Sequence, residues 1–259
     1  MFFVGWVLVL NLRNFYFFIT VLVFICGCAS FTKTTDSELP PLELIKIKES
    51  VWIHRSYGKH EGVVYQANGL VVVTPKGIVL IDTAWTEKQT EELIRLTKEK
   101  FSLDIRFAII SHGHADRVSG IRILEKHNIV SYSTTLTAIE VGKNGFPKPV
   151  SHLDYNNRMS LGNTQIEVYY PGPGHSVDNI VVWLPDTHIL FAGCLLKSVD
   201  SKDLGFVGDA NLNEWPRSAK RLLDRYPDAE VIVPGHGDWG KLDLIRHTLR
   251  LLDNHPNKK

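Results

Sequence analysis

The chain has little cysteine: three residues in 259, with Cys26 and Cys28 near the start and Cys194 alone in the body. That excludes a disulfide framework. It has no excess of either charge, since 29 Lys and Arg face 28 Asp and Glu for a formal net charge of +1. That balance gives no reason to expect nucleic acid as a partner, and no zinc finger or basic helix appears. After residue 45 there is no linker rich in Pro, Gly or Ser, and no strong internal repeat. One domain with two structural halves is expected. What is present is ordinary for a globular protein: 44% apolar and 22% charged residues, which excludes wholesale disorder, collagen and a coiled-coil rod. The length suffices for a core that needs no disulfides.

The long apolar stretch lies at the front. Arg13 is the only charge in residues 1–27, so the 232 residues that follow balance at 28 basic and 28 acidic side chains. The run from Phe15 to Ile25 has the length of a signal-peptide core and is too short to span a bilayer alone. We read residues 1–27 as a signal segment, 28–42 as a flexible polar tether and 43–259 as the folded domain; a retained membrane anchor is the alternative for the first segment. Ile25-Cys26-Gly27-Cys28 resembles a bacterial lipoprotein signal. The resemblance implies cleavage before Cys28 and lipid on its sulfur. With Ala29 rather than Asp next, it also implies attachment at the periplasmic face of the outer membrane. A soluble periplasmic protein is the alternative.

From Ile45 the chain alternates short β-rich runs with turn residues. Strands are predicted at Val51–His54, Gly62–Tyr65, Gly69–Thr74 and Gly77–Asp82 in a mainly antiparallel sheet, with Asn68-Gly69 and Pro75–Gly77 as turns. Further strands are expected at Ile105–Ser111, Ile129–Tyr132, Thr164–Tyr170, Ile180–Leu184, His188–Ala192 and Glu230–Val233. Apolar spacing predicts helices at Thr86–Lys100, Arg117–Lys126, Thr134–Val141, Glu214–Tyr226 and Lys241–Asp253. Strands then helices, twice over, fit two packed sheets with helices outside and a cleft between the halves.

The chemistry gathers at strand ends. His112-Gly113-His114-Ala115-Asp116 follows an apolar strand, and alternating imidazole and carboxylate donors on one loop can converge on a metal. His175 follows two Pro-Gly pairs, His236 sits in Pro234-Gly235-His236-Gly237, and Cys194 ends the strand before it. Each alone has an ordinary structural explanation: a turn-capping histidine, or a cysteine acting as a small hydrophobe. Together they are six donors, too many for one four-coordinate zinc that keeps a water, and suited to two zinc ions with three protein ligands each. His54, His127, His152, His188, His247 and His255 lack such a context.

These strings resemble the class B metallo-β-lactamases, subclass B1, over about residues 43–253. The match is carried by Asn68-Gly69-Leu70, Leu80-Ile81-Asp82-Thr83, the HxHAD stretch, PGPGHSVDN, FAGCLLKS, GDANLNEWPRSAKRL and VPGHG. The resemblance implies an α/β fold: the αβ/βα four-layer sandwich, two packed mixed β-sheets with helices on the outer faces. It implies zinc-dependent hydrolysis of the β-lactam amide of penicillins, cephalosporins and carbapenems, by a monomer. His112, His114 and His175 would hold the first zinc, and Asp116, Cys194 and His236 the second. Asp116 would bind and orient, with a minor part in proton transfer. Lys197 would pair with the substrate carboxylate. Asp82 and Arg117 match supporting positions behind the ligands, Arg117 orienting Asp116 and Cys194. The loop Arg55–Glu61 matches a flap over the cleft, where Gly58 would allow a tight turn and Tyr57 would touch substrate. In one departure, Phe206 stands where the subclass often has an Asn that assists the carbonyl oxygen; Phe206 can line the pocket but offers no hydrogen bond. Cys194 as a nucleophile, another zinc hydrolase such as a thioesterase or lactonase, and a non-catalytic zinc-binding lipoprotein are the competing readings.

Overall fold

The computed structural model describes residues 39–256. The signal segment, Cys28 and all of the tether up to residue 38 lie outside the described residues. At the other end of the tether, Leu42 is already packed into the core.

The first sheet has seven strands in sequence order: β1 (Glu43–Lys48), β2 (Val51–His60), β3 (Val63–Thr74), β4 (Gly77–Ile81), β5 (Ile105–Ile109), β6 (Val130–Thr134) and β7 (Val150–Leu153). β1 to β4 are antiparallel, as expected, but β4 to β7 run parallel, so the sheet is mixed. Each parallel step returns through helix: α1 (Glu87–Phe101), the pair α2 (Ala115–Val118) and α3 (Ile121–Lys126), and α4 (Thr135–Lys143). The second sheet holds β8 (Asn156–Leu161), β9 (Thr164–Tyr169), β10 (Val181–Leu184), β11 (Ile189–Gly193) and β12 (Val231–Pro234) in the order β12-β11-β10-β9-β8. α5 (Trp215–Arg225) connects β11 to its parallel neighbour β12, and α6 (Asp243–Asp253) closes the fold.

Strand alternation sorts the side chains into layers. Ile53, Leu70, Val72, Val79 and Ile81 of the first sheet meet Val168, Val182, Phe191 and Val233 of the second. Their neighbours Val71, Ile78 and Leu80 point the other way, onto Leu93 and Leu124 of the helices. On the far side, Leu190 and Ile232 pack on Trp215, Leu222 and Ile245. Central strands buried on both faces read as continuous apolar runs. The layers are therefore helix, sheet, sheet, helix, the sandwich that the resemblance implied.

Several local expectations fail for tertiary reasons. Asn68-Gly69 is not a turn: β3 passes straight through it, paired with Arg55 and His54. The Asn68 amide instead donates to the carbonyls of Pro234 (3.1 Å) and Gly237 (2.7 Å) on the other half. Gly58 is also mid-strand. The turn is Glu61-Gly62, both with positive φ (49° and 79°), the conformation of a two-residue hairpin. The helix expected at Arg117–Lys126 breaks at Ser119-Gly120, where the Gly120 N–H donates to Thr83 Oγ1 at 3.0 Å. Strands β7 and β8 went unforeseen. They are short, polar edge strands with one face in solvent, and such strands carry little apolar signal.

His54 is buried beneath β3, with its Nε2 3.1 Å from the Ile81 carbonyl and Nδ1 unpartnered. Burial pulls its pKa down from 6.5 to about 4, so the folded state takes up fewer protons than the unfolded chain between those values. Its contribution is complete above pH 6.5 and is lost as pH falls toward 4, up to about 3 kcal/mol. Denaturant titrations at pH 7.5 and 5 should show His54→Gln losing less stability than the parent over that interval; equal losses would contradict this role.

Candidate metal centre

All six donors sit just past strand ends on one rim. β5 delivers His112 and His114, and His114 is the N-cap of α2, which carries Asp116 in its first turn. β9 leads to His175, β11 to Cys194 and β12 to His236. They form two triads, His112/His114/His175 and Asp116/Cys194/His236, with donor atoms within 4.8 Å of one another in each. Among the described residues these are the groups able to hold a metal ion.

In the first triad His114 Nδ1 lies 3.2 Å from His112 Nε2 and 3.0 Å from His175 Nε2. A tetrahedral zinc with Zn–N bonds of about 2.05 Å sets its ligands roughly 3.3 Å apart, so three convergent imidazoles fit it. Burial, reinforced by neighbouring positive charge, holds His112 and His175 well below the usual histidine pKa, in the neutral form that binds metal. Asp209 Oδ2 lies 3.0 Å from His114 Nε2 and so fixes which ring nitrogen faces inward. The turn that carries His175 is tied by Asn179, whose Oδ1 accepts the Ser176 N–H at 3.0 Å and whose Nδ2 donates to the Gly172 carbonyl at 3.2 Å. Trp215 lies edge-on to His175 at 5.8 Å between ring centroids.

In the second triad Asp116 Oδ2 is 3.1 Å from His236 Nε2 and 3.6 Å from Cys194 Sγ. One sulfur, one imidazole and one carboxylate make a donor set suited to zinc. Arg117 lies directly behind, 0% exposed. Its Nη2 reaches Asp116 Oδ2 (2.8 Å), Cys194 Sγ (3.1 Å) and the Gly235 carbonyl (2.9 Å); Nη1 reaches the Asn68 carbonyl (2.5 Å) and Asp82 Oδ2 (3.5 Å). A Cβ on Gly235 would stand 2.5 Å from Cys194 Sγ and 2.6 Å from Arg117 Nη2, so only glycine fits there. Burial pushes the Asp116 carboxyl up, but Arg117 and His236 outweigh it and hold the group well below the usual range. Burial acts against the charged form of His236 too, yet Cys194 and Asp116 raise it to about 9, so metal binding there releases a proton. Asp82 accepts both the Ser111 N–H (2.7 Å) and Ser111 Oγ (2.8 Å), at the start of the histidine loop. Burial raises it to about 6 against Arg117 and those bonds.

Lys197 is buried, and no carboxylate among the described residues lies within ion-pair reach of its Nζ, which stands 5.6 Å from the Trp215 ring centroid. Burial pulls its pKa down. Phe206 is half exposed and meets His114 edge-on, 5.7 Å between centroids. The Tyr57 hydroxyl donates to Glu43 on β1. From the same strand as Tyr57, His60 meets Phe206 at 5.9 Å. Asn211 accepts the Glu214 N–H at 3.0 Å in the turn before α5, and its own N–H donates to the Gly174 carbonyl at 2.8 Å. Trp85 touches the second triad, 5.8 Å from His236 between centroids.

Asp209, Asn179 and Asn68 are the contributors that sequence reasoning missed. Asp209 lay within a quoted string, but 95 residues separate it from His114 and no spacing rule joins them. Asp209→Ala should weaken metal binding at the histidine triad about tenfold or more. Competition with a chromophoric chelator would measure this, and unchanged affinity would refute it.

The metallo-beta-lactamase superfamily domain matches residues 62–236. A metallo-beta-lactamase type 2 from Bacillus cereus is 43% identical over 220 residues, covering 85% of this chain and 86% of that protein. Among solved structures, a metallo-beta-lactamase from Pontibacter korlensis superimposes with a TM-score of 0.81 at 41% identity, covering 83% of this chain and 100% of the other. The metallo-beta-lactamase FIM-1 from Pseudomonas aeruginosa, in its mono-zinc form, gives 0.78 at 31% identity, covering 84% and 97%. On sequence and fold together, the chain belongs to the metallo-beta-lactamase superfamily.

Proposed function

We propose that this protein hydrolyses the amide of β-lactam rings, conferring resistance to penicillins, cephalosporins and carbapenems, with one zinc ion at each triad. The observation that carries the reading is the pair of complete donor triads on one rim beside Lys197, a buried ammonium with no carboxylate partner among the described residues. The mono-zinc form of a structural neighbour supports zinc as the metal. Bound at these ligands, zinc supplies an electrophile for the amide carbonyl and an activated water at neutral pH.

The chain's own groups do the rest. Lys197 Nζ binds the substrate carboxylate through a charge-assisted hydrogen bond and orients the ring. Phe206 forms an apolar wall against His114 and gives no hydrogen bond to the carbonyl oxygen. Arg117 keeps Asp116 ionised and aimed beside His236 and Cys194. Cys194 is a poor nucleophile, because its buried sulfur is a member of the second donor triad beside Asp116 and His236, and a thiolate bound to metal there would be blunted. Hydrolysis therefore needs no acyl-enzyme.

We further propose lipid attachment at Cys28, with residues 28–42 tethering a monomeric domain at the periplasmic face of the outer membrane. The support is the Ile25–Cys28 string. Among the described residues no helix is long and apolar enough to cross a membrane.

Zinc-loaded protein should open a penam or a carbapenem, and EDTA should abolish turnover. Hydrolysis of thioesters or homoserine lactones with β-lactams untouched would select a different hydrolase. Lys197→Ala should raise KM roughly tenfold or more with a smaller effect on kcat. Cys28→Ala should move the protein from the membrane to the soluble fraction; undiminished membrane attachment would rule out lipidation there.

A further inference from the structure

The arm formed by β2 and β3 loses its outer neighbour part way along. The last pairing of β1 with β2 is Glu43 with Arg55, whereas β2 continues to His60. The exposed edge beyond Arg55 is covered by three consecutive contacts from the segment that starts α1. Ser56 Oγ accepts the Trp85 N–H at 3.0 Å. The Tyr57 N–H donates to Gln89 Oε1 at 2.8 Å, and Gln89 Nε2 donates to the Tyr57 carbonyl at 3.0 Å. The indole of Trp85 fills the place of a side chain at Gly58, where a Cβ would lie 2.4 Å from the ring.

The Gln89 amide therefore acts as a one-residue strand, satisfying both backbone groups of Tyr57 as a ladder partner would. Its position makes this unusual. Thr86 and Gln89 have the spacing of a capping box, in which the glutamine side chain turns back to the helix start. Thr86 does cap α1, accepting the Gln89 N–H at 3.1 Å, but the Gln89 side chain is spent on Tyr57 and is 5% exposed. Past this point the burial changes abruptly: Gly58 is buried, and every residue from Lys59 to Tyr65 is exposed. A chain of ring contacts leads from the tip to the metal ligands, His60 on Phe206 and Phe206 on His114.

We propose that Gln89 is a positioning residue, a clamp at the root of the arm that sets how the tip hangs over the metal ligands and hence how tightly substrate is held. The proposal rests on the β-lactam reading for its effect on substrate, but not for the clamp itself. With both hydrogen bonds in place the arm pivots beyond Gly58 and the tip returns to Phe206. Without them the pivot moves back toward Arg55 and the tip samples open positions.

The test uses the zinc-loaded protein and two variants. Gln89→Leu removes both hydrogen bonds, whereas Gln89→Glu keeps an acceptor for the Tyr57 N–H and loses the donor to its carbonyl. Without substrate, amide exchange at Tyr57 should quicken about tenfold in Gln89→Leu and less in Gln89→Glu, with the arm from 59 to 65 following and the central strands unchanged. With substrate, KM should rise about threefold to tenfold in the same order while kcat and bound zinc hold. Unaltered exchange at Tyr57 would overturn the clamp, as would exchange that quickens throughout the domain or a loss of kcat in step with lost zinc. A parent protein that shows these exchange differences among variants yet opens no β-lactam would sink the hydrolysis reading and leave the clamp standing.

Discussion

One buried guanidinium ties the site together. Arg117 lies between the sheets and contacts Asn68, Asp82 and Asp116 on the first half and Cys194 and Gly235 on the second. Removing a charge from water costs several kcal/mol, and only dense pairing offsets it. Here the offset comes from two carboxylates, a sulfur and two carbonyls. The same contacts that make the burial tolerable also fix the second donor triad. Its neighbours are constrained in turn: Gly235 must lack a side chain, and Asn68 must reach across to hold the loop at Pro234 and Gly237.

The sandwich makes such a convergence possible. Strands buried on both faces carry mostly apolar side chains along their length, so the donors appear where strands stop. β5, β11 and β12 each stop at the same rim, and the tight turns there are built from glycine, proline and short polar side chains. Asn179 and Asn211 illustrate the supporting work: one closes the turn before β10 and the other the turn before α5. Neither belongs to a donor triad, yet both bond the turn that carries His175, Asn179 to Gly172 and Ser176 and Asn211 to Gly174.

Much of this was legible in the sequence, and the pattern of success has a physical basis. His112, His114 and Asp116 share one loop, so their convergence is a local property that spacing can reveal. His175, Cys194 and His236 were visible because each follows a recognisable strand ending, and the resemblance then ordered them into triads. The helices at Thr86, Glu214 and Lys241 showed because their apolar faces recur at helical spacing. The misses are residues whose conformation is decided by something distant. Asn68-Gly69 has turn chemistry, but its backbone pairs with β2 and its side chain is claimed by a loop 166 residues away. Gly58 looked like a turn former when its real role is to make room for Trp85. Tyr57, placed on a loop by sequence, lies within β2 with its hydroxyl on Glu43, and His60 three residues on meets Phe206.

Both triads draw donors from the two sheets at once: His112 and His114 with His175, and Asp116 with Cys194 and His236. An ion seated in either would act as a mechanical rivet, fastening two slabs that are also joined by apolar contact, by the reach of Arg117 and Asn68 and by ion pairs such as Lys48 with Glu230 and Arg55 with Asp238. The rivet would close a loop of chain 61 residues long between His114 and His175 and one 78 residues long between Asp116 and Cys194. Extracellular folds of modest size commonly obtain such bracing from cystine bridges. This domain, with a single thiol committed to its reaction centre, would take its bracing from its own inorganic chemistry.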